Sequence, residues 1–186
     1  MADGQYAARH YSTVAIWLHW LIAAFVVANI LLGFYHGAFG EANERALMTV
    51  HKSFGFTVLG LTLLRILWRL MRRPPPLDPA LAAWEKLLAR VVHTVFYLLL
   101  LVLPLSGWLL VSSYDSATAY FGLAEIPALD VPWGKEEGET WHQRHGLIAR
   151  AMLALVLLHV AGAIKHMFEP EKTVMARMVP SLSQPR

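Results

Sequence analysis

Imidazole is the ligand this chain has to offer a metal: it carries nine histidines and no cysteine. Two of them, His145 and His159, lie fourteen residues apart in an apolar segment. In a helix, fourteen steps bring a side chain back to within about 40° of the same face and carry it roughly 21 Å along the axis. That distance is most of a bilayer's hydrocarbon core, about 30 Å thick. One face of one membrane helix therefore presents an imidazole near each side of the membrane, the arrangement that two haems stacked across a bilayer require.

The remaining histidines sort by depth. His51 joins His145 at an outer level, and His19 and His93 join His159 at an inner one. A six-coordinate b-type haem takes two axial ligands, and histidine is a common one. The economical pairing is His51 with His145 and His19 with His159. The fourteen-residue step from the other histidines reaches Gly33 (from His19), Arg65 (from His51) and Gly107 (from His93). Gly33, Gly107 and Gly55, one turn beyond His51, suit the close approach of a flat ring to a backbone. An intramembrane arginine is costly and needs a partner. A haem propionate is a natural one for Arg65, because guanidinium and carboxylate pair bidentately.

Other residues have weaker claims. His93 and His166 are packing residues or line a quinone or proton site. His142 lies seventeen residues from His159, about 100° off its face, and reads as a loop or surface histidine. His10 and His36 read as interfacial or exposed. Arg150 fits neither haem face and is assigned to a partner subunit or the outer interface. Lys52 and Arg144, with Arg45, could steer an anion on the outer side.

The elements that must hold these residues are membrane helices. Hydrophobic residues make up 56% of the chain and charged ones 16%, below the usual quarter for a soluble domain. Four apolar segments, at about 14–34, 50–70, 91–111 and 146–167, approach the 20 or so residues a spanning helix needs. Backbone groups in lipid must be satisfied within the segment, which selects helix. The expected fold is an all-α four-helix membrane bundle forming a single domain over residues 1–186. No internal repeat stands out beyond the shared character of the spans.

Basic residues between spans two and three (Arg69, Arg72, Arg73, Lys86, Arg90) and in the tail (Lys165, Lys172, Arg177, Arg186) predict both termini on the cytoplasmic side. The stretch between spans three and four is acidic, long enough for a short helix or a lid, and faces the other compartment. The net charge of +3 reads as topology and not as nucleic-acid binding. Absence of cysteine excludes disulfides, thiolate-held iron–sulfur clusters and covalently attached c-type haem.

The order of local motifs resembles the bacterial cytochrome b561 family. The pieces are Ile16-Trp17-Leu18-His19-Trp20, Val50-His51-Lys52-Ser53-Phe54-Gly55 and Leu64-Arg65-Ile66-Leu67-Trp68-Arg69. Val92-His93-Thr94-Val95-Phe96-Tyr97, Leu103-Pro104-Leu105-Ser106-Gly107, His145-Gly146-Leu147, Leu158-His159-Val160 and Lys165-His166 follow. The likeness covers about residues 10 to 180. It implies two b haems in the bacterial inner membrane, ligated by the same four histidines, and electron exchange with ubiquinone. Some members of that family are assigned superoxide oxidation; others look like carriers or haem-bearing anchors of dehydrogenase or respiratory complexes. A non-haem four-helix protein, a transporter or metal-site protein using the same histidines, is the competing class.

Overall fold

The computed structural model describes residues 11–169 and 174–179, apart from the side chain of Ala42. His10, Lys172 and Arg186 lie outside the described residues. Four long helices make up most of the fold: α1 (Thr13–Tyr35), α2 (Glu41–Met71), α3 (Ala83–Ser112) and α4 (Glu136–Met167). All four are long and apolar enough to cross a membrane.

Each boundary has a local cause. Ser12 caps α1, its Oγ accepting from the Ala15 N–H at 3.3 Å. A 3-10 turn, His36–Phe39, and Gly40 at φ +80° redirect the chain into α2. Glu41 and Glu44 sit in the first turn of α2, where carboxylates complement the helix dipole. Pro74, Pro75 and Pro76 follow the end of α2 and cannot continue it. Glu85 reaches back to accept from the Ala82 N–H at 2.9 Å and starts α3. Helix α4 opens on Glu136, Glu137 and Glu139 and closes on Lys165 and His166, the charge order its dipole favours.

Two helices are longer than their apolar spans. Helix α2 begins at Glu41 where the apolar run suggests about 50, and α4 at Glu136 where it suggests about 146. The extra turns are polar and invisible to hydropathy, but acidic first turns are good helix starts. His51 and His145 consequently lie well inside their helices and not at the ends.

Helices α1 and α2 pack as one antiparallel hairpin, α3 and α4 as another, and α2 joins α3 between them. Ile22, Val26, Val58, Leu100 and Met152 form the buried centre, flanked by Phe25, Phe96 and Leu103. On every helix these residues lie between the two histidine-bearing levels. Leucine, valine and tryptophan side chains cover the outside of the bundle, as a surface facing lipid tails does. In lipid such a core is held by close packing, since moving an apolar side chain from tails to protein gains no hydrophobic free energy.

The connection from α3 to α4 is a β-hairpin, not the short helix the sequence allowed. β1 (Thr118–Tyr120) pairs antiparallel with β2 (Ala124–Ile126), with Ala119 opposite Glu125. Phe121 and Gly122 turn at φ +51° and +73°, the left-handed pair that a tight hairpin needs. The hairpin docks on α2. The Phe121 N–H donates to Ser53 Oγ at 2.9 Å, the Ser53 hydroxyl bonds the Thr49 carbonyl at 2.8 Å, and Tyr120 Oη meets Thr57 Oγ1 at 3.0 Å. Trp108 Nε1 donates to the Pro127 carbonyl and Trp133 Nε1 to Ser113 Oγ, tying the rest of the loop to α3. This end of the bundle, the expected outer one, is called the hairpin side below. The opposite end is the tail side, where the 174–179 segment returns and the Met178 carbonyl accepts from Trp20 Nε1.

Candidate functional site

The histidines gather at two levels. On the hairpin side the rings of His51 and His145 have centroids 6.1 Å apart and planes at 85°. On the tail side His19 and His159 are 6.2 Å apart at 72°. A metal held between two imidazoles, with metal–nitrogen bonds of about 2.0–2.1 Å, would set the two ring centres roughly 6 Å apart. Both pairs stand within a few tenths of an ångström of that spacing. His93 is also beside His159, at 5.8 Å, and Phe96 at 5.2 Å.

The hairpin-side rings have a defined tautomer. His51 Nδ1 lies 3.1 Å from the Asn29 carbonyl, which can only accept, so Nδ1 carries the proton. His145 Nδ1 lies 2.9 Å from Ser106 Oγ. The single Ser106 hydroxyl proton goes to the Leu103 carbonyl at 2.6 Å, so Ser106 accepts from His145. Both imidazoles therefore keep the Nε2 lone pair for another partner, which is the donor set an axially ligated iron needs. Among the described residues, no hydrogen bond reaches the ring nitrogens of His19, His93 or His159.

Two of the three predicted glycines meet imidazole edges. A Cβ on Gly33 would stand 3.0 Å from His51 Cε1, and one on Gly107 would stand 3.2 Å from His145 Cε1. A side chain at either position would push the histidine of the neighbouring helix away. Gly55 is less constrained, its nearest neighbour being Asn29 Nδ2 at 3.8 Å.

The other sequence candidates are spread out. Arg65 is half-buried on the tail side and bridges two helices, Nη1 donating to the Ala15 carbonyl at 2.8 Å and Nε to Tyr97 Oη at 3.3 Å. It lines a cavity of about 620 Å³ with Arg69, Arg72, Arg73, Trp68 and Tyr97. Lys52 is half-buried next to His51. Arg144 stacks over the Trp141 ring at 4.9 Å. His142 and Arg150 are exposed.

His166 belongs to a separate group. Its Nδ1 is 2.6 Å from Glu169, Lys165 Nζ is 2.6 Å from Glu85 and 3.4 Å from Glu169, and this network joins the start of α3 to the end of α4. Glu85, His166 and Glu169 offer atoms within 4.8 Å of one another, but the Lys165 ammonium already supplies the positive charge there.

Sequence reasoning missed Asn29 and Leu103, which act through main-chain carbonyls and so leave no trace in residue type. Ser106 carried a usable signal: a hydroxyl in an apolar run, beside a glycine fourteen residues from a histidine.

Membrane-length helices with imidazoles gathered at two levels describe a class, the membrane cytochromes of b type. A family profile described as prokaryotic cytochrome b561 matches residues 10–181. The chain belongs to that family, whose members are membrane electron-transfer proteins with b-type haem. It is 28% identical over 178 residues to cytochrome b561 homolog 2 of Escherichia coli (strain K12), covering 92% of each chain. It is 28% identical to a Yersinia pestis protein named "Probable superoxide oxidase CybB", over 92% of this chain and 97% of that one. Cytochrome b562 of Cereibacter sphaeroides is also 28% identical, over 91% and 94% of the two chains.

Proposed function

We propose that the chain is a di-haem cytochrome of the bacterial inner membrane, one domain with both termini cytoplasmic, relaying electrons from an outer donor to ubiquinone. The observation that carries this reading is the pair of imidazole gaps, 6.1 and 6.2 Å, one at each level of the bundle. His51 with His145 and His19 with His159 would hold the two irons. The bound haems supply reversible one-electron chemistry at each level.

The protein's own residues orient and tune. Asn29 and Ser106 hold the hairpin-side imidazoles in the ligating tautomer. Arg65 brings positive charge to the tail side and retains a guanidinium edge for a propionate. His93, beside His159, is suited to exchange a proton where quinone is reduced, whereas His166 is committed to Glu169.

The proposed outer donor is superoxide, motivated by the name of the Yersinia relative and by Lys52 beside His51. Two superoxide anions each lose one electron to become dioxygen, and ubiquinone takes two electrons and two protons to become ubiquinol. A second reading, a haem-bearing subunit of a larger dehydrogenase or respiratory complex, is favoured by Arg150, exposed on α4 between one and two turns from His145. A bare arginine against lipid is costly, and a partner subunit would cover it.

The test is spectroscopic, then kinetic. Purified protein is expected to show a b-type α-band in the reduced-minus-oxidised spectrum with two haems per chain. It is further expected to reduce a ubiquinone analogue with superoxide as sole donor. No α-band sinks the haem reading; an α-band with no quinone reduction, in a preparation that retains other subunits, favours the second.

A further inference from the structure

The two helix hairpins use one construction twice. Gly33 follows His19 by fourteen residues, as Gly107 follows His93; Arg65 follows His51 by fourteen, as His159 follows His145. The structure adds a third correspondence. On α1 the Asn29 carbonyl faces His51 of the paired helix, and Gly33 comes one turn later. On α3 the corresponding Leu103 carbonyl is reached through Ser106, whose hydroxyl donates to it at 2.6 Å and accepts from His145 Nδ1 at 2.9 Å, and Gly107 comes one turn later. A helical carbonyl already accepts from the N–H four residues on, but it has a second lone pair. On α1 the glycine at that fourth position lets His51 come close enough to use it, and on α3 the glycine makes room for His145 while the Ser106 hydroxyl takes the lone pair. The repeat thus exists at a handful of chemical positions and is invisible in the surrounding apolar sequence.

The copies differ in one respect on the hairpin side. Ser106 precedes Gly107, whereas Leu32 precedes Gly33. The second copy therefore adds a hydroxyl acceptor for His145, at 2.9 Å and 2% exposed to solvent. The tail side differs more. Its histidines have no Nδ1 acceptor among the described residues, and Arg65 stands where the repeat would set a counterpart of His159.

We propose that this duplicated carbonyl–glycine cradle, sharpened by Ser106, makes the hairpin-side histidine pair the lower-potential of the two haem sites. The inference rests on the haem reading above. Donating Nδ1–H to an acceptor makes an imidazole a stronger donor through Nε2 and favours the oxidised metal. A nearby cation such as Arg65 favours the reduced, more negative state at the other level. Both effects separate the sites in the same direction, against the single charge of Lys52 beside His51. Ser106 is a positioning residue: it acts on the metal only through His145.

The test is an optical redox titration of the purified holoprotein, with low-spin ferric EPR. His145→Ala identifies the hairpin-side component, which is expected to be the lower-potential one. Ser106→Ala is expected to raise that component's midpoint, shift its EPR signal and leave the other component unmoved, and Ser106→Thr to return it toward wild type. Gly33→Ala and Gly107→Ala, on different helices, are expected to disturb or lose this same component. The cradle is overturned if His145→Ala removes the higher-potential component, if Ser106→Ala moves the other midpoint or neither, or if the two glycine variants affect different components. Should the glycine variants fail to fold, the serine pair decides alone. Wild-type protein without two b-type components defeats the haem reading first, a failure distinct from any outcome among the variants.

Discussion

The two levels of the bundle are built from the same residue types and are not equivalent. On the hairpin side two histidines are each fixed by a neighbouring helix, through an acceptor for Nδ1 and a glycine against the ring edge. Above them the β-hairpin is fastened to α2 by Ser53 and Thr57. On the tail side three histidines and Phe96 cluster without such acceptors among the described residues, beside an arginine held by the Ala15 carbonyl and Tyr97. The hairpin side has this positioning beside one half-buried cation, Lys52; the tail side has Arg65 with Arg69, Arg72 and Arg73 around one cavity, and among the described residues lacks that positioning. In the proposed di-haem reading, such a difference would order two redox sites in one membrane: fixed, electron-rich ligands lower one potential, and the cations of the other level raise the other.

The strongest way to break this comparison is to remove a ligand from one level. His145→Ala is expected to reduce haem content from two to one per chain and spare the tail side, whereas His142→Ala keeps both. His93→Ala is expected to keep both as well, because the proposed pairing joins His159 to His19, 6.2 Å away, and leaves His93 as a neighbour at 5.8 Å. Pyridine haemochrome quantitation reads all three. Loss of a haem in His93→Ala and not in His19→Ala would reassign the tail-side ligand.

A smaller effect is expected from Arg65→Gln, which keeps hydrogen-bonding capacity toward Ala15 and Tyr97 but removes the charge. The tail-side midpoint is expected to fall by about 60 mV, a tenfold change in a one-electron equilibrium. The hairpin-side midpoint should stay where it is. An equal fall at both levels would mean that Arg65 acts through the field of the whole bundle.

Smaller again is the hairpin's contribution. Ser53 is fully buried and takes part in bonds to both the Phe121 N–H and the Thr49 carbonyl. Ser53→Ala leaves a backbone donor without its partner, a cost of about 1–3 kcal/mol. Amide exchange is expected to quicken across Thr118–Ile126 while α3 and α4 keep their protection. Uniform quickening through all four helices would show that the hairpin is not a separately fastened cover.

The sequence makes the tail-side and hairpin-side levels legible because helical periodicity carries His145 to His159, and His19, His51 and His93 to a glycine or arginine at a fixed depth. The four membrane-length helices were equally legible, since lipid forces each apolar run to satisfy its own backbone. What escaped follows from the same physics. The first turns of α2 and α4 are acidic and helical, so hydropathy ends where the helix does not. The β-hairpin depends on one serine and one threonine on the face of α2. Asn29 and Leu103 contribute main-chain oxygens, which any residue supplies, and Arg144 showed a charge but not where its side chain lies.

That last case gives the mildest and most discriminating prediction for the hairpin side. Arg144 and Lys52 both lie near His145 and His51 in sequence, and both are candidates to draw an anionic donor inward. The guanidinium of Arg144 is exposed and stacked on Trp141 at 4.9 Å, so solvent screens it. Lys52 is half-buried, adjacent to His51, where its field is screened less. Surrounding Glu136, Glu137 and Glu139 work against any long-range attraction. Lys52→Ala is therefore expected to slow reduction by superoxide a few-fold at low ionic strength, with the difference shrinking as salt is added. Arg144→Ala is expected to change the rate by less than about twofold at any salt, as exposed charges generally do. Stopped-flow measurement of haem reduction across a salt series separates the two. A larger, salt-sensitive loss in Arg144→Ala would mean that the acidic rim is bypassed at Trp141, and that anions reach the hairpin-side pair along α4 and not past α2.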